Sequence, residues 1–462
     1  MKKLILTLAL LVVCVSVRAT DVLKLSLEQA TELALNENRT IKIAEKEIQR
    51  VDYARKQVQG GLFPSLSGSA QYTRAIRKQE MLLNMGGGDG GEINTGDPMI
   101  DAIANAIMDA IMGGFGGGGP MEVGSDNTIT FGLTASLPLI APGLWKSIKL
   151  SKTDMDIALE KSRSSKLALT NEVKKAYIQA LLAQESLSVL MQSMQLAEQN
   201  LENIRNMYNQ GLVAEFDLIR AEVQVRNMKP MLMMAADGVA LSLMMVRVLL
   251  SVPEEVALVL TDKLASFEEA ILADEVPVVT NLDRNSDLVQ LDLNLQKMSQ
   301  QQQLIRTQSM PTLAAFANFQ YMAMGDDGQK LHWSPPFMVG LSLNVPIFSG
   351  LSRVRQSQQM KIGIEQMEIQ RDLFKDNLNV QARNTINQMT RTKEQIASNK
   401  ESVRLAERGV EISQVRYKTG MGTILEMNDS DLALVQARMN YYQSLSDYLI
   451  AKSALQTLLG NE

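Results

Sequence analysis

The sequence predicts a mostly α-helical fold with a transmembrane β portion, assembled from one structural unit that occurs twice. Residues 131–139 (FGLTASLPL) are matched about 208 residues later by 339–347 (VGLSLNVPI). The turn sequence YNQGL at 208–212 is matched in the same way by YKTGM at 417–421. Short alternating strands and very long helices therefore recur in the same order in each half, which is the signature of an internal repeat.

Residues 1–19 are predicted to be a signal peptide. Lys2 and Lys3 precede an apolar run at 4–17, and a small residue closes the segment. The run is too short to cross a bilayer as a helix, so we expect a cleaved export signal. The single cysteine, Cys14, follows a valine and not the small residue that a lipoprotein signal needs, so lipidation is disfavoured. The mature chain then has no thiol for a disulfide or a metal site.

The remaining chain is acidic and lacks catalytic motifs. Removing the three positive charges Lys2, Lys3 and Arg18 moves the formal net charge from −5 to −8, which argues against a nucleic-acid partner. There is no HExxH, P-loop or GxSxG motif, and His332 is the only histidine, so we predict no enzymatic activity, no cofactor and no metal site. No stretch of about 18 uninterrupted apolar residues follows the signal, so membrane contact is expected to use strands.

The first structural repeat is predicted at 20–251 and begins with a helix. Ser26 and Gln29 form a capping-box pattern, and the helix is expected to continue without interruption to about Gln59. A β-hairpin is predicted next, at 64–139.

Four predicted strands alternate apolar and small or polar residues with the period of two that gives a sheet two different faces. Each is about as long as the nine to eleven residues that cross a bilayer at a tilt. The apolar sets are Leu66, Gly68, Ala70 and Tyr72; Ile129, Phe131, Leu133, Ala135 and Leu137; Leu313, Ala315, Ala317, Phe319 and Tyr321; and Phe337, Val339, Leu341, Leu343, Val345 and Ile347. A soluble sheet with one wet face would give the same alternation, but two matched hairpins behind an export signal favour a wall that faces lipid.

Prolines mark the predicted ends of these strands. Pro64 and Pro311 are expected to start the outgoing strands, and Pro138 and Pro346 to end the returning ones, where a missing amide hydrogen is tolerated. Four strands cannot close a barrel, and an open edge in hydrocarbon costs several kcal/mol for each unpaired group. The chain is therefore expected to borrow strands from identical copies. Three copies would give twelve, an even number within the range of such barrels, although the strands alone do not fix the number three.

The loop of the first hairpin, at 75–127, is long and contains thirteen glycines. We predict a flexible extracellular loop, because glycine-rich segments do not recover the entropy lost on ordering. Within it, 98–112 is predicted to form a short helix whose apolar face carries Met99, Ile103, Ile107 and Ile111. A plug or lid over the mouth is the alternative.

A helical hairpin at 144–251 completes the first repeat. Residues 144–209 contain neither proline nor glycine, and at about 1.5 Å per residue they would reach roughly 100 Å. The residues of the predicted packing face, which we call the seam residues, recur at alternating spacings of three and four, the register of a coiled coil. They are Leu187, Leu190, Met194, Ala197, Leu201, Ile204 and Tyr208 in the first half, and Val403, Ala406, Val410, Ser413 and Tyr417 in the second. Each long helix is expected to reverse at a glycine, Gly211 or Gly420.

The two repeats are joined by a segment at 252–280, predicted to form a mixed collar around the helical part. The second repeat follows at 281–462. It is predicted to contain a helix that starts near Ser286, a β-hairpin at 311–348 and a helical hairpin at 350–460.

Together these motifs resemble the TolC family of outer-membrane channel proteins. They are YxxGLVAxxD at 208–217, YxxGx5E at 417–426, the proline-bounded hairpins and the closing leucines at 449, 455 and 458. The likeness covers nearly the whole mature chain. It implies a homotrimer with a twelve-stranded β-barrel in the outer membrane, continued across the periplasm by a barrel of long helices. Such proteins are exit ducts that dock on a periplasmic adaptor and an inner-membrane pump, and they catalyse nothing.

The resemblance also implies roles for individual residues. Asp217 and Tyr417 match a latch pair that links neighbouring helical hairpins, and Glu426 and Asp429 match acidic rings at the pore constriction. The tip turns that meet the adaptor in this family are Gly211, Leu212, Val213, Gly420, Met421 and Gly422. Some relatives carry a latch arginine at the position of Gly422, so we expect a weaker or differently built lock here. The residues themselves also allow a plainer interpretation of Glu426 and Asp429, because acids in the first turn of a helix favour its dipole.

The predicted function is therefore an outer-membrane exit duct of a tripartite efflux or type I secretion system, conducting small-molecule or polypeptide cargo passively. A trimeric coiled-coil surface protein or adhesin is the alternative, but it explains the heptads and not the doubled hairpins. The methionine-rich stretch at 228–245 is expected to fill helix interfaces, although thioethers can also bind copper(I). Because the lining of a duct is generic, the pump is expected to select the cargo.

Overall fold

The computed structural model describes residues 22–81, 98–113, 121–123, 125–277, 281–328 and 330–461. The predicted signal peptide and many glycines of the first hairpin loop lie outside the described residues. In chain order the elements are β1 (Val22–Leu25), α1 (Leu27–Glu37), α2 (Arg39–Gly60), β2 (Ser65–Arg74), β3 (Gln79–Met81), α3 (Pro98–Gly113), β4 (Met121–Val123), β5 (Asn127–Ile140), α4 (Pro142–Asn209), α5 (Glu215–Leu250), β6 (Ala257–Leu260), a 3₁₀ helix (Leu264–Phe267), α6 (Glu268–Ala273), α7 (Ser286–Thr307), β7 (Thr312–Gly325), β8 (His332–Ser334), β9 (Phe337–Asn344), α8 (Ser352–Lys418) and α9 (Ile424–Leu458).

The chain divides into two units. One consists of the described parts of Met1–Lys56, Ser147–Ile305 and Ser352–Glu462, and it holds most of the helical residues together with β1 and β6. The other consists of the described parts of Gln57–Lys146 and Arg306–Leu351, and it holds the main sheet.

The main sheet joins the two hairpins. Its order is β2-β5-β7, with β8 and β9 both paired to the far side of β7, and every pairing is antiparallel. Leu133 lies opposite Gly68 on one side and Phe319 on the other, and Ala317 lies opposite Val339. Residues that face each other in an antiparallel pair share a face of the sheet. The register therefore puts the predicted apolar residues within these strands on one face, whereas the predicted Val345 and Ile347 lie beyond the end of β9.

That apolar face is exposed in the single chain. Leu66 is 74% exposed and Val339 is 70% exposed, although both lie within regular strands. On the other face, the ring of Phe316 lies over Gly340, where a Cβ atom would come within 2.9 Å of the ring. A side chain at position 340 would therefore have to displace this aromatic ring.

One predicted strand end is wrong. We expected Pro138 to end the returning strand, but β5 continues to Ile140, with a shift of register between Pro138 and Ile140. The irregularity accommodates the proline, because a bulge leaves one residue outside the hydrogen-bonded ladder.

Charged residues join the turn ends of the two hairpins. The Lys78 Nζ lies 2.8 Å from an oxygen of Asp326 and 3.4 Å from an oxygen of Asp126. Arg74 pairs with Asp327 at 2.8 Å. The pairs of Lys78 with Asp326 and of Arg74 with Asp327 connect positions 248 and 253 residues apart, so the sequence alone does not reveal them. The helix α3 confirms the short helix predicted within the glycine-rich loop. That this loop is flexible and extracellular stays a prediction, with a plug or lid as its alternative.

The predicted uninterrupted N-terminal helix is wrong, because it breaks at Asn38. The capping box of Ser26 and Gln29 is present at the start of α1, as predicted. Asn38 then adopts an extended backbone, accepts the N–H of Thr40 at 2.7 Å and donates to the carbonyl of Leu249 at 2.7 Å. An asparagine that caps the following helix competes with continuation of the preceding one.

The two long helices are confirmed, with 68 residues in α4 and 67 in α8. The seam residues Ala197, Ile204, Val410, Ser413 and Tyr417 are buried, so the heptad spacing does identify the packed faces. Six further members are partly buried: Leu187, Leu190, Met194, Leu201, Val403 and Ala406. Tyr208 is the exposed member, at 38%.

The segment between the repeats is tied to the N-terminal strand. β1 pairs in parallel with β6, so that Leu25 lies beside Leu260. The hydroxyl of the fully buried Tyr177, on α4, lies 2.9 Å from both the carbonyl of Leu25 and the carboxylate of Asp262. Burial raises the pKa of this hydroxyl, so it stays a protonated donor.

The same segment is held to the second helical hairpin. Tyr448 donates to Asp274 and Tyr441 donates to Glu268, each at 2.8 Å. Burial raises the pKa of both hydroxyls. Two tyrosines of α9 thus fix α6 and the residue that follows it.

Among the described residues, one helix, α5, is long and apolar enough to cross a bilayer by length and composition. Helices that pack against other helices meet the same test. We call its exposed large apolar residues the α5 stripe. They are Phe216, Ile219, Val223, Met231, Met233, Met234, Leu241, Met244, Met245 and Val248. Of the methionines expected to fill helix interfaces, Met228 is buried, whereas the other five lie in the stripe and are exposed in the single chain.

Candidate functional site

The two helical hairpins reverse through turns of the same geometry. Gly211 and Gly420 both have φ of 73°, in the left-handed region that glycine tolerates. In the first turn, the N–H of Leu212 donates to the carbonyl of Met207 at 2.9 Å. The matching bond in the second turn, from Met421 to Arg416, is also 2.9 Å. Each turn is thus a Schellman motif, which confirms the predicted glycine reversal.

Both hairpins meet in one apolar cluster near these turns, which we call the tip cluster. Its buried members come from all four long helices: Ile204 on α4, Ala221 on α5, Tyr417 on α8, and Ile424 and Met427 on α9. The tip cluster therefore fixes the first turn of α5 and the first turn of α9 in one place. The acidic candidate residues lie in or just after these first turns.

Tyr417 and Asp217, the predicted latch pair, lie near each other in this structure. The Tyr417 ring is 8% exposed, and among the described residues its buried hydroxyl has no hydrogen-bond partner. Burial, and then the negative charge of Asp217, raise the pKa of that hydroxyl. A buried hydroxyl without a partner is destabilising, so this donor is available to an acceptor that moves within reach.

Glu426 and Asp429, the predicted constriction residues, are both exposed. Glu426 lies 3.6 Å from the guanidinium of Arg416, a residue that our sequence analysis did not single out. A basic residue in the last turn of a helix was the available signal, because such residues favour the helix dipole. Thr423 caps α9 by accepting the N–H of Glu426 at 3.2 Å.

The predicted docking residues form the surface of both turns. Leu212 is 66% exposed and Met421 is 74% exposed, whereas Val213 and Gly422 are partly buried. Exposed apolar side chains at a turn suit contact with another protein.

One further carboxylate lies between α4 and α9, about two turns from the start of α9. Asp431 faces a cavity of about 200 Å³, and one of its oxygens is buried and unpaired among the described residues. Its other oxygen lies 3.4 Å from the amide of Asn200. Burial raises the pKa of Asp431 to about 6. Arg438, which also lines the cavity, is engaged instead by Gln192 and Glu407.

Comparison with known proteins decides the family. A model of the outer membrane efflux protein family matches residues 30–247 and 278–461, which is most of the chain. The chain belongs to the outer membrane efflux protein family. No significant match to a curated protein is found.

Solved structures agree with this assignment. CusC superposes with a TM-score of 0.73 at 14% identity, over 94% of this chain and 92% of that one. CmeC of Campylobacter jejuni gives 0.72 at 15% identity, over 94% of this chain and 85% of the other. VceC of Vibrio cholerae gives 0.69 at 14% identity, over 94% and 96%. At such identities the likeness concerns the fold, which confirms the predicted fold class.

As an outer membrane efflux protein, the chain is an exit duct of efflux systems, located in the outer membrane with a periplasmic extension. The family is one of efflux channels and not of enzymes. The alternative of a fibre or adhesin is therefore set aside.

Proposed function

We propose that the protein is a homotrimeric, passive duct that receives cargo from a periplasmic adaptor and an inner-membrane pump. Three chains would supply the strands of a twelve-stranded barrel and the long helices of a helical tube. The lining of the duct would not discriminate between substrates, so that the pump selects the cargo. Membership of an efflux family supports the part that concerns transport.

The open sheet supports assembly from several copies. Among the described strands, β2 has a partner on one side only, and so does β9, while the apolar face of the sheet is exposed. Unpaired backbone groups are not tolerated in hydrocarbon, so the edges of the sheet need strands from other chains. The α5 stripe adds a second apolar surface that a neighbouring protomer would cover.

The tip cluster carries the proposal for the constriction. It holds the starts of α5 and α9 together, so that Asp217, Glu426 and Asp429 belong to one small region of each protomer. In a trimer, Glu426 and Asp429 would each occur three times around the axis and would favour cations. Tyr417 and Asp217 would act as the latch, with the unpaired hydroxyl as its donor.

Single-channel recording tests the constriction. The variant with Glu426→Ala and Asp429→Ala should lower the preference for potassium over chloride, because the ring charges are lost. Asp447→Ala, on the same helix and far from the turn, is the matched control and should leave the preference as it is. Unchanged selectivity in the double variant would remove both residues from the constriction. The mass of the protein in mild detergent tests the trimer, and a monomer would overturn it.

Export by whole cells tests the docking turns. Met421→Glu should abolish export while the protein still inserts, because a charge would be buried against the adaptor. Met421→Leu keeps an apolar side chain and should retain export. Normal export by the glutamate variant would move the docking surface away from this turn.

A further inference from the structure

The side chain of Arg416 folds back over the turn between α8 and α9. Its own carbonyl accepts the N–H groups of Met421 and Gly422, at 2.9 and 3.0 Å. Its guanidinium donates to the carbonyl of Met421 at 3.2 Å and lies 3.6 Å from the Glu426 carboxylate. One arginine therefore contacts the end of α8, the turn and the start of α9.

Gly422 leaves the space that this arrangement needs. A Cβ atom at position 422 would lie 3.0 Å from the Cβ of Arg416 and 3.2 Å from its carbonyl carbon. It would also lie 3.2 Å from a carboxylate oxygen of Glu426. Any larger residue would have to push the arginine stem or the carboxylate aside.

The first hairpin has no such arrangement. Aligning Tyr208 with Tyr417 puts Met207 at the position of Arg416 and Val213 at the position of Gly422. The acid at the position of Glu426 is Asp217, so the first turn has the carboxylate without the arginine. The pair is a property of the second turn, and it cannot be explained by the shared backbone.

We propose that Arg416 sets the ion preference of the tip by pairing with Glu426 of its own protomer, across Gly422. This inference rests on the proposed position of Glu426 and Asp429 at the constriction. Three arginines beside three glutamates cancel much of the field of the Glu426 ring, since a charge pair looks nearly neutral from a distance greater than its own separation. Asp429 is then the carboxylate that gives the pore its cation preference.

Single-channel reversal potentials in a potassium chloride gradient test the pairing. Arg416→Gln should raise the potassium-to-chloride permeability ratio about twofold, because Glu426 loses its compensating charge. Lys418→Gln removes the same charge from the same last turn of α8 and is the matched control, expected to change the ratio little. The double variant of Arg416→Gln with Glu426→Gln removes a neutral pair and should return the ratio close to that of the native protein. Each variant is first shown to have the mass of the native assembly in detergent.

The outcomes separate this inference from the proposed function. If Glu426→Gln alone lowers the ratio but Arg416→Gln has no larger effect than Lys418→Gln, the inference fails and the constriction stands. If Glu426→Gln alone leaves the ratio unchanged, the position of Glu426 at the constriction fails, and the inference fails with it.

Discussion

The turn between α4 and α5 and the turn between α8 and α9 share a backbone and differ in their side chains. Both place a glycine at φ of 73° and close with the same pair of hydrogen bonds. Only the second has a side-chain cap, since Thr423 caps α9 whereas Ala214 at the start of α5 makes no such bond. Only the second turn has Arg416 folded over it.

A tyrosine and a carboxylate at equivalent positions are both less accessible to solvent in the second hairpin than in the first. Tyr417 is buried, while its counterpart Tyr208 is 38% exposed. Asp431 is partly buried and weakly paired, while its counterpart Glu222 forms a surface ion pair with Arg205 at 2.8 Å. Duplication has thus kept the fold of the turn in both copies, while the buried tyrosine, the carboxylate with an unpaired oxygen and the arginine of the turn belong to the second.

The largest expected difference between the turns concerns the two tyrosines. Tyr417→Ala should lower the free energy of unfolding by about 3 kcal/mol, because it empties part of the tip cluster. Tyr208→Ala should cost less than about 1 kcal/mol, because that ring is partly in solvent. Denaturant unfolding in detergent, followed by helical circular dichroism, measures both. Equal losses would contradict the burial difference.

The two glycines should behave alike. Gly211→Ala and Gly420→Ala should each cost about 1–2 kcal/mol, because a Cβ atom is strained at this φ although it would meet no neighbour. Gly409→Ala, inside α8 and also without neighbours, is the control and should stabilise by up to about 1 kcal/mol. Unequal costs at positions 211 and 420 would show that the two turns are not equivalent in solution.

Asp431 should make stability depend on pH. Its pKa is raised to about 6 in the fold, so the folded state holds the proton more tightly than the unfolded state. The stability associated with that proton is then lost as pH rises from about 4 to about 6. Asp431→Asn removes the penalty and should stabilise the protein at pH 8 by about 1–2 kcal/mol, allowing for solvent access, with no gain near pH 4.

The matched control for Asp431 is Glu222→Gln, in the first hairpin. It breaks only the surface pair with Arg205 and should cost less than about 1 kcal/mol. Thermal unfolding at pH 4 and pH 8 measures both variants. A gain from Asp431→Asn that is the same at both pH values would argue against titration of this carboxyl.

The smallest expected effect concerns the helix caps. Thr423→Ala removes the bond to the N–H of Glu426 and should cost about 1 kcal/mol. Ala214→Thr offers the same bond to α5 and should gain a few tenths to about 1 kcal/mol. Denaturant midpoints give both values. If the threonine at position 214 has no effect, the first turn cannot accept a cap in the geometry of the second.

Local patterns in the sequence predicted the elements well. The heptad spacing identified the packed face of α4 and α8, because one residue in every three or four must meet the neighbouring helix. Alternation identified the apolar face of the sheet for the same kind of reason. The break at Asn38 was missed because it depends on Leu249, on a distant helix, and the sequence does not display such contacts.

The candidate site was only partly predictable. The turn glycines could be found because a left-handed backbone conformation is usually occupied by glycine, which is visible in the sequence itself. The roles of Glu426, Asp429, Asp217 and Tyr417 stay predictions. Arg416 was missed, because its partner is set by how the turn folds and by the absence of a side chain at position 422.

The pairing of β1 with β6 restricts the order in which the chain can mature. β1 lies near the start of the chain, yet its only partner among the described strands, β6, is encoded more than 230 residues later. Asp262, just after β6, also accepts the N–H of Leu27 at 2.7 Å. A segment that is delivered to its compartment from the N-terminus onward must therefore wait, unpaired, until more than half of the polypeptide has arrived. During that interval, a chaperone would have to protect β1 and the residues next to it first.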